Sequence, residues 1–262
     1  QERKLLNQFF GSEEKASPFL NFAKEGTFLG AGKSISNKSS ISGAFFSGKH
    51  PDLIYFPNHN QKSSGLVFEY QASLNKQELS FQSGVLSESS AMLGSSFRGA
   101  YGRLGDTLTY FSGINSSLIF SNFRLMGSYF YGMSKPDLDQ VGMVKDISRL
   151  TSSSFNLTLY KASLLTEADS FGFSVSQPLK LESGEINFSL PYRRTVKKEI
   201  LFNDFTASMG ASGRQVDVEF IYSTPIKNGH LRSRIGVSKD QGHISSDKLQ
   251  PFFETSWEFM KF

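Results

Sequence analysis

Residues 171–191 read FGFSVSQPLKLESGEINFSLP, and their period of two decides the fold class. Phe171, Phe173 and Val175 fall on one side of an extended strand and Gly172, Ser174 and Ser176 on the other, because successive strand side chains point to opposite faces. The apolar beat resumes after Pro178 at Leu179 and Leu181, then changes parity across Ser183-Gly184 to Ile186, Phe188 and Leu190. A two-residue turn at Ser183-Gly184 explains the change, since it pairs Leu181 with Ile186 and Leu179 with Phe188. Pro178 has no N–H to give to a ladder, so a bulge, a strand end or a sheet edge is expected there.

The same period recurs along the chain. In GLVFEYQASLNKQELSFQSGVL (65–86) a turn at Asn75-Lys76 pairs Tyr70 with Phe81, Ala72 with Leu79 and Leu66 with Val85. Asn228-Gly229 is the strongest short hairpin signal and sets Tyr222 against Ile235 and Phe220 against Val237, with Glu219, Ser223, Arg232 and Arg234 on the opposite face. Further strands are expected at 26–34, 38–48, 91–101, 107–114, 118–132, 151–165 and 250–262, about twelve in all. Longer polar connections fall at 49–63, 133–149, 192–213 and 239–249. Residues 1–25 differ: Leu5, Leu6, Phe9 and Phe10 have helical spacing, which predicts a short helix or a linker before a single β domain at 26–262.

Composition agrees. The 262 residues are 14% aromatic, and 26 of those aromatics are Phe, a bias toward strands. There is no cysteine, hence neither a disulfide framework nor a thiolate metal site. The net charge of +4 is scattered, and no run of cations with interleaved aromatics points to nucleic acid. No stretch approaches the roughly 20 apolar residues of a membrane helix. No basic-then-apolar leader opens the chain, so Gln1 is expected to be a processed or internal terminus.

Two stretches imitate active-site motifs. GTFLGAGKS (26–34) has a Gly-Lys-Ser, but a phosphate-binding loop needs a glycine where Thr27 stands, and no helical pattern follows. TASMGASG (206–213) offers Ser208, but the four histidines, His50, His59, His230 and His243, sit in or beside polar connections with no paired acid and no metal-ligand spacing. No catalytic residue, cofactor or metal site is expected, and the chain reads as a non-enzyme.

Alternation alone does not tell which face is buried. In a soluble sandwich the apolar face lines the core, whereas in a membrane barrel it meets lipid and the polar face lines the lumen. The polar positions here are small or charged, and strands of ten or more residues are long enough to cross a bilayer when tilted. The reading is therefore an antiparallel meander closed into an outer-membrane barrel. Ser174, Asp217, Glu219, Arg232 and Arg234 are expected to face the lumen, and Phe171, Phe173, Val175, Phe220 and Tyr222 to face lipid. The terminal strand FFETSWEFMKF (252–262) carries Trp257, Phe259 and Phe262 and is expected to close the barrel against 26–34 or 38–48. Trp257 and Phe259 are placed toward the outer face, while Phe262 has the other parity. The alternative is a soluble β-sandwich or β-solenoid with a binding or structural role.

Four segments together resemble one family. They are VLSESSAMLGSSFRGAYG (85–102), TLTYFSGI (107–114), DSFGFSVSQPLKLESGEINFSLP (169–191) and GRQVDVEFIYSTPIKNGHLRSRIGVSKDQGH (213–243). In order they carry Leu93-Gly94, Gly99-Ala100, Ser176 to Leu179, Leu190-Pro191, and Gly213-Arg214 followed by Asp217 and Glu219. This order is similar to the C-terminal translocator region of bacterial subtilisin-like serine peptidases of the autotransporter type. The resemblance implies a bacterial outer-membrane barrel that anchors and exports a covalently linked N-terminal passenger. It also implies membrane lipid and the outer-membrane assembly machinery as partners, and it puts residues 1–25 at the segment that threads the pore.

Overall fold

The structure is a computed structural model that describes residues 17–49, 62–163, 165–226 and 229–259. Fourteen antiparallel strands run through these residues: β1 Lys24–Ser36, β2 Ser39–Lys49, β3 Lys62–Leu74, β4 Gln77–Ser89, β5 Gly102–Phe120, β6 Phe123–Val141, β7 Val144–Ile147, β8 Leu150–Ala162, β9 Ser170–Ser183, β10 Glu185–Arg194, β11 Ile200–Ser208, β12 Val216–Ile226, β13 Gly229–Lys239 and β14 Leu249–Phe259. Eleven form one sheet in the order β1-β2-β3-β4-β5-β6-β8-β9-β12-β13-β14, and β11-β10-β7 form a second, three-stranded one. The large sheet is a meander, interrupted only where β7 and the β10–β11 hairpin leave it.

Its two ends differ. The connections at 37–38, 75–76, 121–122 and 227–228 are two residues long and lie at one end, together with the longer 163–169 connection. Asn75 and Ser121 turn these corners with left-handed φ values of 54° and 53°; asparagine tolerates that region better than most residues. At the other end stand residues 90–101, 142–149, the β10–β11 excursion and 240–248.

The hairpin at 75–76 has the expected register, with Tyr70 opposite Phe81, Ala72 opposite Leu79 and Leu66 opposite Val85. The β12–β13 hairpin is shifted by two residues: Phe220 pairs with Ile235 and Tyr222 with Ser233. A slip of two leaves every side chain on its expected face. The expected hairpin across Ser183-Gly184 does not form. β9 pairs with β8 and β12, while β10 pairs with β7 and β11, so Leu181 meets Ser152 and Ile186 meets Ile147. The chain changes sheets at Gly184, whose φ is 155°. Pro178 sits in a bulge: Lys180 and Gln177 pair with Ser153 and Phe155, leaving Pro178 and Leu179 opposite the single residue Ser154.

Other boundaries move as well. Residues 91–101 form no strand; the Glu88 carboxylate accepts the backbone N–H groups of Leu93 and Gly94 at 3.0 and 2.9 Å and folds that segment into a turn. The expected 118–132 strand is split by the turn at 121–122. The connections expected at 133–149 and 192–213 contain the end of β6, β7 and β11. In the N-terminal segment, Pro18–Phe22 form a 3-10 helix whose Ser17 hydroxyl accepts the Phe19 N–H; the helical spacing at Leu5 to Phe10 lies outside the described residues.

The sheet curls around this short helix. Phe19 packs in one buried cluster with Phe46 of β2, Val67 of β3, Leu86 of β4, Phe111 of β5 and Phe130 of β6, and Phe28 of β1 and Leu179 of β9 pack against it. From β1 to β9 is seven strand spacings, about 34 Å if flat, so strands that share one small cluster lie on a strongly curved trough. The expected closure is not present among the described residues. β14 pairs only with β13 and β1 only with β2, so both are edge strands. The physical obstacle is parity. With eleven strands β1 and β14 run in the same direction, and an antiparallel ladder between them is impossible.

Candidate functional site

The two faces of the curved sheet differ: the outer is apolar and uncovered, while the enclosed face is largely polar around the Phe19 cluster. Outward rows are apolar across many strands. One runs Leu159, Phe173, Phe220, Ile235, Phe253 from β8 to β14, and another runs Phe81, Ile114, Tyr129, Phe155 from β4 to β8. Many of these side chains are uncovered: Phe81 is 52% and Phe253 71% exposed. Inward, Gln82 and Glu88 are fully buried, and Asn115, Thr109, Thr158 and Ser174 are nearly so.

Glycines let the inner face close. Ring atoms of Phe46 lie 2.6 Å from where a Cβ on Gly65 would stand, and those of Phe252 2.7 Å from that of Gly236. The rings of Phe130 and Phe19 cover Gly113 and Gly132 in the same way. Tyr160 covers Gly172, at 2.8 Å. That answers why glycine and serine alternate with phenylalanine in 171–176: the inner side must be small enough for a neighbour's ring to cross it.

Polar pairs fill the rest of the trough. Arg234 donates from Nε and Nη2 to Glu219 Oε2 at 2.8 and 2.6 Å, and its Nη1 reaches Glu254 at 3.2 Å. Arg124 bonds Ser117 at 2.8 Å and Glu78 at 3.4 Å. Thr158, Ser174 and Asn156 form a hydroxyl–amide chain at 2.8 to 3.2 Å. Nearer the long-connection end, on the parity of the outward rows, Lys180 pairs with Glu182 at 2.8 Å, and Arg214 bridges Glu182 and Gln177.

The residues singled out from sequence divide between the faces by parity. Ser174, Asp217, Glu219, Arg232 and Arg234 lie on the inner face, and Phe171, Phe173, Val175, Phe220 and Tyr222 on the outer. Trp257 is outward, opposite Leu231; the side chain of Phe259 and the whole of Phe262 lie outside the described residues. Sequence reading missed Gln82 and Arg124, which sit on the polar parity of expected strands, so the same alternation could have found them, and Glu88, which lies between two expected strands. It also missed the interior role of Pro18 and Phe19.

His243, outside the strands, fastens the β13–β14 connection. Its Nδ1 accepts the Gln215 N–H at 3.0 Å and its Nε2 donates to the Leu179 carbonyl at 3.2 Å. Partial burial pushes its pKa below the ordinary histidine value, outweighing the carbonyl bond. Ser208 lies exposed on β11, where its hydroxyl accepts the Gly210 N–H. Ser223 Oγ is 3.1 Å from His230 Nδ1, and no carboxylate among the described residues bonds that histidine. Lys33 and Ser34 are part of β1. His50 and His59 lie outside the described residues.

No family model, no curated protein and no solved structure matches the chain.

Proposed function

We propose that this chain is an outer-membrane β-barrel that anchors and exports a covalently linked passenger and performs no chemistry of its own. The observation that carries the reading is the inverted burial: buried polar side chains line the enclosed face around the Phe19 cluster while rows of Phe, Tyr, Ile and Leu project outward uncovered. In water such a face far exceeds the few hundred Å² that a monomer exposes. In lipid it is the required surface, with polar side chains left for the lumen. A soluble sandwich needs the apolar face covered by a second sheet, but the three-stranded sheet packs at the long-connection end, through Val144, Ile147, Ile186 and Phe188 against Leu104 and Leu150.

Other features support the reading. Short turns at one end and long connections at the other are typical of outer-membrane barrels. Buried side-chain oxygens of Asn115, Thr107 and Ser152 have no protein partner among the described residues, which suits a hydrated interior. Pro18–Phe22 occupy that interior, the position from which an N-terminal passenger would be tethered. The export role itself rests on the family resemblance. In lipid an open edge would leave backbone groups that each cost several kcal/mol, so the barrel reading requires the β1 and β14 edges to be covered in the membrane.

The test is expression with a reporter fused ahead of Gln1. The barrel reading expects the chain in the membrane fraction after alkaline carbonate, extractable only with detergent, and the reporter accessible to added protease on intact cells. A monodisperse protein recovered in buffer without detergent overturns the barrel; a membrane-bound chain whose reporter stays protected overturns export alone.

A further inference from the structure

We infer that the tip of the β10–β11 hairpin is a lipid-surface anchor that binds phosphate-bearing head groups beside the long-connection end. The base of the hairpin is held: Ile186, Phe188 and Met209 pack on the end of the large sheet, and Phe188 stacks on Phe205 at 5.0 Å. Beyond it the chain stands free. Arg193, Arg194, Lys197 and Lys198 fall within six residues, with Glu199 the one carboxylate among them. Tyr192, Val196, Ile200 and Phe202 accompany these cations, with Val196 fully exposed and Tyr192 64% exposed.

The tip is ordered. Thr195 and Lys198 close it through Thr195 N–H to the Glu199 carbonyl at 2.8 Å and Lys198 N–H to the Thr195 carbonyl at 2.9 Å. The Arg194 guanidinium donates to the Lys198 carbonyl at 3.3 Å, while Arg193, Lys197 and Lys198 form no ion pair among the described residues. Cations around uncovered apolar side chains match one environment, an anionic interface in which the apolar groups enter the acyl boundary and the cations meet phosphate. An acidic protein surface would meet the charge but leave Val196 and Tyr192 in water.

This inference rests on the membrane reading, so the experiment separates the two. The chain has no cysteine, and a polarity-sensitive fluorophore on Val196→Cys reports the tip while one on Phe253→Cys reports the outer face. The full chain is reconstituted in phosphatidylcholine, alone or mixed with phosphatidylglycerol. The expected result is a Val196 signal that shifts blue and rises about twofold only in the anionic bilayer, as apolar tip groups enter the interface, and that returns in molar salt. Changing Arg193, Lys197 and Lys198 together to Gln removes the response while the Phe253 signal stays apolar. An unchanged Val196 signal with Phe253 in lipid overturns the anchor and leaves the barrel standing. A Phe253 probe in water overturns the barrel, and anionic vesicles added to that soluble chain then decide the anchor by the same Val196 shift. Response to polyglutamate with none to lipid also overturns it.

Discussion

Arg234 on β13 holds Glu219 on β12 through two donors at 2.8 and 2.6 Å, so the carboxylate is 5% exposed while its neighbour Phe220 projects from the other face at 45%. Two adjacent residues thus sample two environments. Phe220→Arg puts a charge where lipid is expected, at about 2–4 kcal/mol near the bilayer midplane, whereas Glu219→Gln keeps an acceptor for Arg234. In lipid vesicles, the protease-resistant folded fraction is expected to fall sharply for Phe220→Arg and little for Glu219→Gln. Equal effects would remove the facing argument.

The glycine–ring contacts make a second prediction. Gly113→Val places carbon where the Phe130 ring lies, and overpacking of this kind costs about 1–3 kcal/mol. Combining Gly113→Val with Phe130→Ala is expected to recover part of the loss, a positive coupling in urea unfolding. Strict additivity would mean that the two do not share the space.

His243 makes the connection at 240–248 sensitive to acid. With its folded pKa held below the ordinary 6.5, the folded protein binds fewer protons than the unfolded chain as pH falls. Its contribution is therefore complete above pH 6.5 and is lost as pH drops through the lower folded value. The protection factor of the Gln215 amide is expected to fall over that range, and His243→Gln, which cannot titrate, to abolish the change. Exchange that quickens toward higher pH beyond the intrinsic base-catalysed trend would reverse the sign.

The seam between β1 and β14 is open to a direct measurement. A direct parallel seam would set the edges one spacing apart, about 5 Å, within reach of a disulfide, which needs Cα atoms within about 7 Å. In a closed barrel, cysteines at Leu29 and Phe253 are expected to join through a flexible bismaleimide. Oxidative bridging as well would mean a directly paired parallel seam, and failure of both reagents an open sheet.

How far local pattern carries is clear from three hairpins. At 75–76 the turn residues and both apolar faces agree on one register, and the pairing follows. In the β12–β13 hairpin the signal sets the turn one residue too far along, at Asn228-Gly229, so the register slips by two, a slip that preserves every face. At 183–184 an equally plausible local hairpin loses to a distant partner: β12, more than thirty residues on, takes the place beside β9, and Gly184 lets the chain leave the sheet with Leu150 packed where its Cβ would be. No property of residues 179–188 alone encodes that competition.

The sequence by itself determined that the chain is an antiparallel β-meander and which residues share a face, because the side-chain period of a strand is two wherever the strand lies. Which face is enclosed is a property of curvature, and curvature comes from contacts between distant strands: Phe19 within reach of Phe46, Phe111 and Phe130, and rings laid over glycines one strand away. The odd number of large-sheet strands among the described residues, which denies β1 and β14 a common antiparallel ladder, also emerged only from the tertiary structure, because it depends on two segments leaving the large sheet for a smaller one.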